Sequence, residues 1–280
     1  MYLLITPIGS SVFKWGGISS ILISGSINTG QFEPLPLPST IYGFLKYTYI
    51  VNNIGKDSPK FRGPLLYAKG KEKEAICVHS YPSGIVCNIN GSICKFKIEE
   101  EHFEHRIGIS IDRKNKVTKE GYIYMEKMLD LFKVTREILN ENPIKYGILI
   151  EVYDIDENIK KLNNFVGPFG GESRPAKVNI IEPNIIKIGK RFLASPAIVD
   201  EGNDKNIKWN NENVEIRIAR DSNKKLISEG KITYRLISLG FEINKRLPMK
   251  LAIMPTVEVL TDKKAVGYYN EIGWGSIFEL

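Results

Sequence analysis

This sequence of 280 residues has few cysteines and no long apolar run. Its three cysteines, Cys77, Cys87 and Cys94, include no CxxC pair, so the sequence does not predict a zinc site. An odd number of cysteines without a secretory signal fits a reducing cytoplasm. No stretch approaches the roughly 18 apolar residues of a transmembrane helix. We therefore expect a cytoplasmic protein without a membrane partner.

Motifs that carry catalysis are also missing. The three histidines are His79, His102 and His105, and the sequence contains no HExxH, GxSxG, GxGxxG or Walker motif. His102 and His105 precede a predicted strand, where side chains three residues apart point to opposite faces, so we do not expect them to share a metal. The sequence thus predicts neither a metal nor a cofactor, and it favours binding over catalysis.

The composition indicates a globular protein with a basic surface. Hydrophobic residues make up 42% of the chain, enough for a buried core in one large domain or two modest ones. The formal charge of +7 favours a polyanionic partner, although plain solubility would account for a modest excess as well.

A proline-led helix is predicted near residue 40. In PLPLPST three prolines alternate with other residues, which requires an extended chain. Ser39 or Thr40 is placed to cap a following helix. The predicted apolar face of that helix, at i, i+3, i+4 and i+7, consists of Ile41, Phe44, Leu45 and Thr48.

The start of this helix is a candidate phosphate site. Free N–H groups and the positive end of the dipole are available there, and Lys46 follows about one turn later. Gly43 lies inside the helix, where it costs about 1 kcal/mol relative to alanine, so we expect something to pack closely against it. The candidate residues are Ser39, Thr40, Gly43 and Lys46.

The segment FVGPFGGESRPAK is a second candidate site. Gly167, Gly170 and Gly171 allow a ligand to approach the backbone, and their N–H groups can form an anion-binding nest. Arg174 and Lys177 follow and would supply charge to a phosphate. The competing interpretation is an ordinary tight turn.

The succession of elements matches a βαββαβ ferredoxin-like domain with insertions. Asn90-Gly91 between two apolar runs predicts a hairpin. The second helix is predicted over residues 122–139, with Met125, Leu129, Phe132 and Leu139 on one face. Strands are predicted at 2–6, 105–112, 148–153 and 175–181, and a short helix at 156–162. We assign residues 1–182 to this α+β domain and 183–280 to a smaller, β-rich domain.

Further basic and aromatic residues would suit binding of a phosphate backbone without regard to base sequence. Tyr42 or Trp15 would stack on exposed bases, although Trp15 also fits a packed loop anchor. A solvated charged loop is the simpler interpretation of the basic patch. That patch consists of Arg106, Arg113, Lys114, Lys116 and Lys119.

The order of motifs resembles a known family. PLPLPSTIYGFLKY, HRIGISIDRKNKVTKEGYIY, FVGPFGGESRPAK, KRFLASPAIV and VGYYNEIGWGS are similar to the RAMP subunits of CRISPR effector complexes. The resemblance is closest to the third subunit of the type III-B (Cmr) complex. It runs from about residue 30 to the C-terminus.

This resemblance implies two ferredoxin-like, RRM-like domains and a non-catalytic role in an antiviral ribonucleoprotein. Such subunits hold the 5′ handle of the guide RNA and contact the large polymerase/cyclase-like subunit and a neighbouring backbone RAMP subunit. The family's glycine-rich loop corresponds to Gly167, Gly170 and Gly171, with Arg174 beside it. Its first helix corresponds to Ser39, Thr40, Gly43 and Lys46.

Two alternatives stay open. Some members of the wider superfamily are histidine-dependent endoribonucleases, so one alternative is a metal-independent endoribonuclease that processes CRISPR repeat RNA. No histidine here is placed to match theirs. The other alternative is a scaffold that contacts only protein.

Overall fold

A computed structural model gives the fold of the chain. It describes residues 1–15, 32–54, 59–112, 117–153, 157–171, 174–184, 186–227, 231–239, 241–242, 245–246, 249–255 and 257–280; at 108–112, 117–126, 157, 241–242 and 245–246 it describes the backbone alone. This part of the chain contains two α-helices and many strands, which confirms the α+β class.

The first half forms one antiparallel sheet of eight strands with the order β5-β4-β3-β2-β8-β1-β10-β9, while β6 and β7 form a separate hairpin. The strands are β1 (Tyr2–Pro7), β2 (Lys60–Lys69), β3 (Glu74–Ser80), β4 (Gly84–Ile89), β5 (Ser92–Lys97), β6 (Phe103–Asp112), β7 (Val117–Leu129), β8 (Lys145–Tyr153), β9 (Val166–Phe169) and β10 (Arg174–Ile181). The helices are α1 (Pro38–Val51) and α2 (Leu131–Leu139), with 3-10 helices at Glu100–His102 and Glu157–Leu162.

Chain order and sheet order together give the succession β1, α1, β2, β8, 3-10 helix, β10, with the other elements inserted. Their central strands lie side by side as β2-β8-β1-β10. This succession has the order of the predicted βαββαβ pattern with a 3-10 helix in place of its second α-helix, and a ferredoxin-like domain stays a prediction.

The described residues of the second half form strands only. A six-stranded sheet has the order β13-β14-β15-β20-β11-β21, a three-stranded sheet has the order β12-β19-β16, and β17 pairs with β18. These strands are β11 (Arg191–Leu193), β12 (Ala197–Ile198), β13 (Glu201–Gly202), β14 (Asn206–Trp209), β15 (Glu212–Ile218), β16 (Tyr234–Ser238), β17 (Phe241–Glu242), β18 (Lys245–Arg246), β19 (Met249–Ile253), β20 (Val257–Leu260) and β21 (Ile277–Glu279). A second ferredoxin-like domain is therefore not confirmed, and a domain boundary at residue 183 stays a prediction.

The large sheet is covered on both faces, because successive side chains of a strand alternate between them. Leu3 and Ile5 of β1 face the core that α1 and α2 complete. Leu4 faces the opposite core, which includes Phe192 of β11 and Phe278 of β21. The first half thus forms a helical layer and a sheet, and the second half packs as a β-layer against the other side.

Two local predictions are confirmed. The buried residues of α1 include all four of the predicted apolar stripe: Ile41, Phe44, Leu45 and Thr48. Asn90 and Gly91 connect β4 to β5 with φ of 48° and 92°, as expected for a two-residue hairpin turn. Among the described residues, no helix has the length and apolarity needed to cross a membrane.

The predicted helix over residues 122–139 is wrong in its first half. Residues up to Leu129 belong to β7, which pairs with β6 so that Phe103 lies opposite Leu129. The segment GYIYM is rich in residues that favour strands, and this pairing prevails over the helical spacing. The helix begins at Leu131 because Asp130 caps it, accepting the N–H of Phe132 at 2.9 Å.

The cysteines also differ from the expectation for a reducing cytoplasm. Cys77 of β3 lies directly opposite Cys87 of β4, and their sulfurs form a disulfide buried in the sheet. Cys94 of β5 is a free thiol, and burial raises its pKa, with a further contribution from the charge of Asp221. Such bonds are rare in most reduced compartments, so the structure does not support the inference drawn from the odd cysteine count.

The cap of α2 gives a stability test. Replacing Asp130 with alanine is expected to lower the free energy of unfolding by about 1 kcal/mol, because two N–H groups of the first turn lose their acceptor. Asp130→Asn keeps an acceptor and should lie close to wild type. Equilibrium unfolding in urea measures both variants. Equal losses in the two would show that the cap is not the origin of the effect.

Candidate nucleic-acid interface

The glycine segment is a hairpin between β9 and β10. Gly170 has a φ of 71°, which suits glycine, and Gly171 donates its N–H to the carbonyl of Val12 at 3.2 Å. A Cβ on Gly170 would lie 3.2 Å from Phe13, and one on Gly171 3.2 Å from Val12. These glycines therefore allow the hairpin to pack against the loop after β1, and the N–H of Gly171 is already used in that contact.

Gly167 brings this hairpin close to α1. It lies in β9 opposite Ala176, and a Cβ there would lie 2.7 Å from the ring of Phe165 and 3.4 Å from that of Phe44 in the helix. Next to it, the ring of Phe169 packs edge to face against Phe44 and Phe13, at centroid distances of 5.0 and 5.7 Å. The structure thus places the two predicted sites, the glycine segment and the proline-led helix, side by side.

The base of the β6–β7 hairpin reaches the same place. Ser11 and Leu129 exchange two backbone hydrogen bonds of 2.8 and 2.7 Å. Arg174, the first residue of β10, lies half-buried with its Nη2 3.5 Å from the sulfur of Met128. The loop of residues 10–13 therefore joins both hairpins.

The side chains of Arg174 and Lys177 lie on opposite faces of β10. Arg174 lies on the face of β10 that also carries Ala176 and Val178, both in the core beneath the helices. Lys177 is an odd number of residues away, so it points to the opposite face, opposite Thr6 of β1. The prediction that both would supply charge to one phosphate is not supported by their positions.

The start of α1 differs from the prediction. Leu37 is the N-cap, no side chain caps the helix, and Pro38 occupies the first turn. Ser39 and Thr40 are therefore helical and half-exposed, and neither is the cap. Pro38 accounts for this shift, because its fixed φ fits the first helical position.

The outward face of α1 carries exposed residues at helical spacing: Gly43, Lys46, Tyr47 and Ile50. No atom would lie within 4 Å of a Cβ on Gly43, so the close packing expected there is not provided by the described part of this chain. Lys46 forms no ion pair with any described residue, and its ammonium lies 6.0 Å from the Tyr42 ring centroid. Tyr47 is 43% exposed, and the sequence analysis missed it although it follows Gly43 by one turn.

The other predicted base-stacking residue, Trp15, is buried. Only 7% of it is exposed, and its Nε1 donates to the carbonyl of Leu35 at 2.6 Å. Its ring packs against His79 and Tyr81. Trp15 therefore anchors its loop by packing in the interior, and it is not placed to stack on a base.

Most of the predicted basic patch lies outside the described residues. Arg113, Lys114 and Lys116 fall in the gap between β6 and β7, and the side chain of Lys119 is not described. Arg106 is exposed, with its guanidinium 3.9 Å from the carboxylate of Glu104.

The three histidines are engaged in separate places. His79 is fully buried, and its Nε2 lies 2.8 Å from the carboxylate of Glu33. His102 lies 2.7 Å from Glu137, and His105, on β6, lies 2.8 Å from Glu100. The three histidines therefore lie in three separate histidine–carboxylate pairs in the described structure.

One group of side chains has the spacing of a metal site. The ligand atoms of Glu101, His102 and Glu137 lie within 4.8 Å of one another. Nε2 of His102 lies 2.7 Å from the carboxylate of Glu137, and its Nδ1 lies 3.0 Å from the amide nitrogen and 3.2 Å from the carbonyl oxygen of Glu99. Both ring nitrogens therefore have hydrogen-bond partners within the chain.

Comparison with known proteins shows which folds and sequences this chain is similar to. No family model matches the sequence. The fold matches a chain of the type III-B Cmr-beta complex bound to cognate target RNA and AMPPnP, with a TM-score of 0.60, 18% identity and coverage of 100% of this chain and 96% of that one. A chain of the same kind of complex bound to cognate target RNA alone gives a TM-score of 0.59 and 19% identity, with the same coverage. The chain therefore shares its fold with chains found in Cmr complexes.

A curated relative is also similar in sequence. The CRISPR system CMR subunit Cmr3 of Saccharolobus solfataricus (strain P2) is 25% identical over 287 residues, which cover 90% of this chain and 83% of the relative. The chain is thus similar to a Cmr3 subunit, as the motifs indicated, and the comparisons support a subunit of a CRISPR effector complex.

The open space at Gly43 gives a second test. Gly43→Ala is expected to raise the free energy of unfolding by about 1 kcal/mol, because alanine favours a helix and meets no neighbour here. Gly147→Ala is the matched control and should destabilise, since its Cβ would lie 2.5 Å from the carbonyl of Ile5. Thermal or urea unfolding measures both. A loss of stability in Gly43→Ala would mean that this face is covered within the chain.

Proposed function

We propose that this chain is a non-catalytic, RNA-binding subunit of a type III-B CRISPR ribonucleoprotein in antiviral defence. It holds the 5′ handle of the guide RNA and caps the complex next to the large polymerase/cyclase-like subunit, in contact with a neighbouring backbone RAMP subunit. The similarity to a Cmr3 subunit over 90% of the chain supports this proposal. The similar structures contain target RNA, which supports RNA as a partner.

The observation that carries the proposal is the outward face of α1. Lys46 offers a cation that forms no ion pair with the described residues, and Tyr47 exposes a ring on which a base can stack. Gly43 leaves room for a sugar-phosphate backbone to approach the helix. Ser39 and Thr40 add hydroxyl donors near the positive end of the helix dipole.

The glycine hairpin takes a positioning role in this proposal. Gly167, Gly170 and Gly171 permit the close contacts that hold β9 against α1 and against the loop after β1. Arg174 lies between this hairpin and the base of β6–β7. These residues fix where the helix face lies, and the helix face makes the contacts with RNA.

The C-terminal half of α1 suits a protein partner. Ile50 and Val51 are 67% and 50% exposed, and apolar surface of this kind gains by being buried against another chain. We therefore assign the neighbouring subunit to this end of the helix and the RNA to the end that carries Gly43.

Binding to guide RNA tests the proposal. The purified chain, alone and with its large-subunit partner, is titrated with a handle-bearing guide and with a scrambled RNA over a salt series. We expect tighter binding of the handle, and a log–log salt slope of about −0.7 for each phosphate contact. Lys46→Ala should reduce the slope by about 0.7, and Tyr47→Ala should weaken binding about tenfold through lost stacking.

Lys208→Ala is the matched control, because Lys208 is an exposed lysine of β14 in the six-stranded sheet and forms no ion pair with the described residues. It should bind as wild type does. Tight binding without preference for the handle would leave a general RNA-binding subunit. No binding in either setting would contradict the proposal and favour the protein-only scaffold.

The endoribonuclease alternative has its own test. The purified chain should leave CRISPR repeat RNA intact in the presence of EDTA, because His79 is buried and the other histidines bond separate acids. Substituting His79, His102 or His105 with glutamine should change nothing in this assay. Cleavage that depends on one of these histidines would refute the non-catalytic assignment.

A further inference from the structure

A cavity of about 340 Å³ lies where β1, β8 and β10 run side by side. Its polar lining includes Thr6, Lys145, Lys177 and Asn179, and no acidic residue lines it. Lys177 and Thr6 are directly opposed on the sheet face away from α1 and α2. The cavity is thus separate from the helix face proposed above.

The two lysines are not neutralised within the chain. Neither Lys145 nor Lys177 forms an ion pair with a residue of the described structure. Thr6 donates its hydroxyl to the carbonyl of Tyr146 at 2.9 Å, and Asn179 donates to the side chain of Asn164 at 3.0 Å. The donors that remain free in the cavity are therefore mainly the two ammonium groups.

A second basic cavity shows the contrast. It lies between the two halves of the chain and is lined by Arg62, Lys187 and Arg191, among others. Four of the five cations that line it have an acid: Arg62 pairs with Glu151, Lys187 lies 3.9 Å from Glu279, Arg191 lies 3.4 Å from Asp262, and Lys263 pairs with Glu212. Most of the positive charge of that cavity is therefore neutralised within the described structure, whereas Lys145 and Lys177 leave positive charge for an external anion.

The shape of the site favours a chain over a compact ion. Lys145 lies on β8 and Lys177 on β10, with β1 between them, so their backbones are separated by two strand spacings of about 4.8 Å each. The second half of the chain covers the Leu4 end of the same face. What remains is a cleft with a lysine on β8 and another on β10.

We propose that this cleft binds the phosphodiester backbone of single-stranded RNA, with Lys145 and Lys177 contacting successive phosphates. Ammonium groups suit this task because they act as point charges that tolerate any base sequence. The site would add a sequence-independent hold on an RNA strand, apart from any reading of the guide's handle.

The test uses the full purified chain and a fluorescein-labelled octauridylate, with binding followed by fluorescence anisotropy. The double variant Lys145→Ala/Lys177→Ala is expected to bind about tenfold more weakly and to lose about 1.4 from the log–log salt slope, that is, two contacts of about 0.7 each. The matched control Lys208→Ala/Lys250→Ala removes the same charge from exposed positions of β14 and β19 and should leave both values unchanged.

The outcomes separate this site from the α1 face. An unchanged affinity and slope in the Lys145/Lys177 variant, or equal losses in the control, would overturn the inference whatever Lys46→Ala does. Absence of octauridylate binding by the wild-type chain would overturn it as well. A competition arm uses uridine monophosphate: displacement at similar concentrations would assign the cleft to a free nucleotide and overturn the strand proposal, while weak displacement supports it.

Discussion

The packing of Phe169 against Phe13 and Phe44 is the contact on which the candidate interface depends. All three rings are buried, and each belongs to a different element: the β9–β10 hairpin, the loop after β1, and α1. Edge-to-face pairs of this kind contribute about 0.5–1.5 kcal/mol beyond the burial of their area. Phe169 thus links the helix, the glycine hairpin and the loop after β1.

A polar cluster fixes the chain that enters α1. The carboxylate of Glu33 accepts the N–H of Ser83 at 2.8 Å and lies 2.8 Å from the Nε2 of buried His79. Nearby, Trp15 donates to the carbonyl of Leu35. Buried polar groups are costly unless they are paired, so these bonds select one path for the segment that leads into the helix. The helix is therefore held at its start by hydrogen bonds and along its length by aromatic packing.

Local patterns in the sequence predicted local structure well. The apolar stripe of α1 and the turn at Asn90-Gly91 depend on neighbouring residues alone, and both are confirmed. The helix predicted from residue 122 failed because a partner strand distant in sequence decides whether such a segment pairs. The glycine-loop site was predicted from residues that are near one another in sequence. Arg174 and Lys177 nevertheless point to opposite faces of β10, because successive side chains of a strand alternate between its faces. The exposure of Tyr47 follows only once the apolar stripe on the opposite face of α1 is known to be buried.

The two sites that we propose border the same edge of the large sheet. β9 is the last strand of the sheet; α1 packs against it on one face, and Lys177 lies opposite its Val166 on β10, with its side chain on the other face. An RNA strand that contacts both sites must pass over this edge, where Val166 is 50% exposed. β9 is short and contains Pro168, which lacks a donor and protects an exposed edge from pairing with another strand. The same short edge that is protected against strand addition thus leaves a path between the two positively charged surfaces.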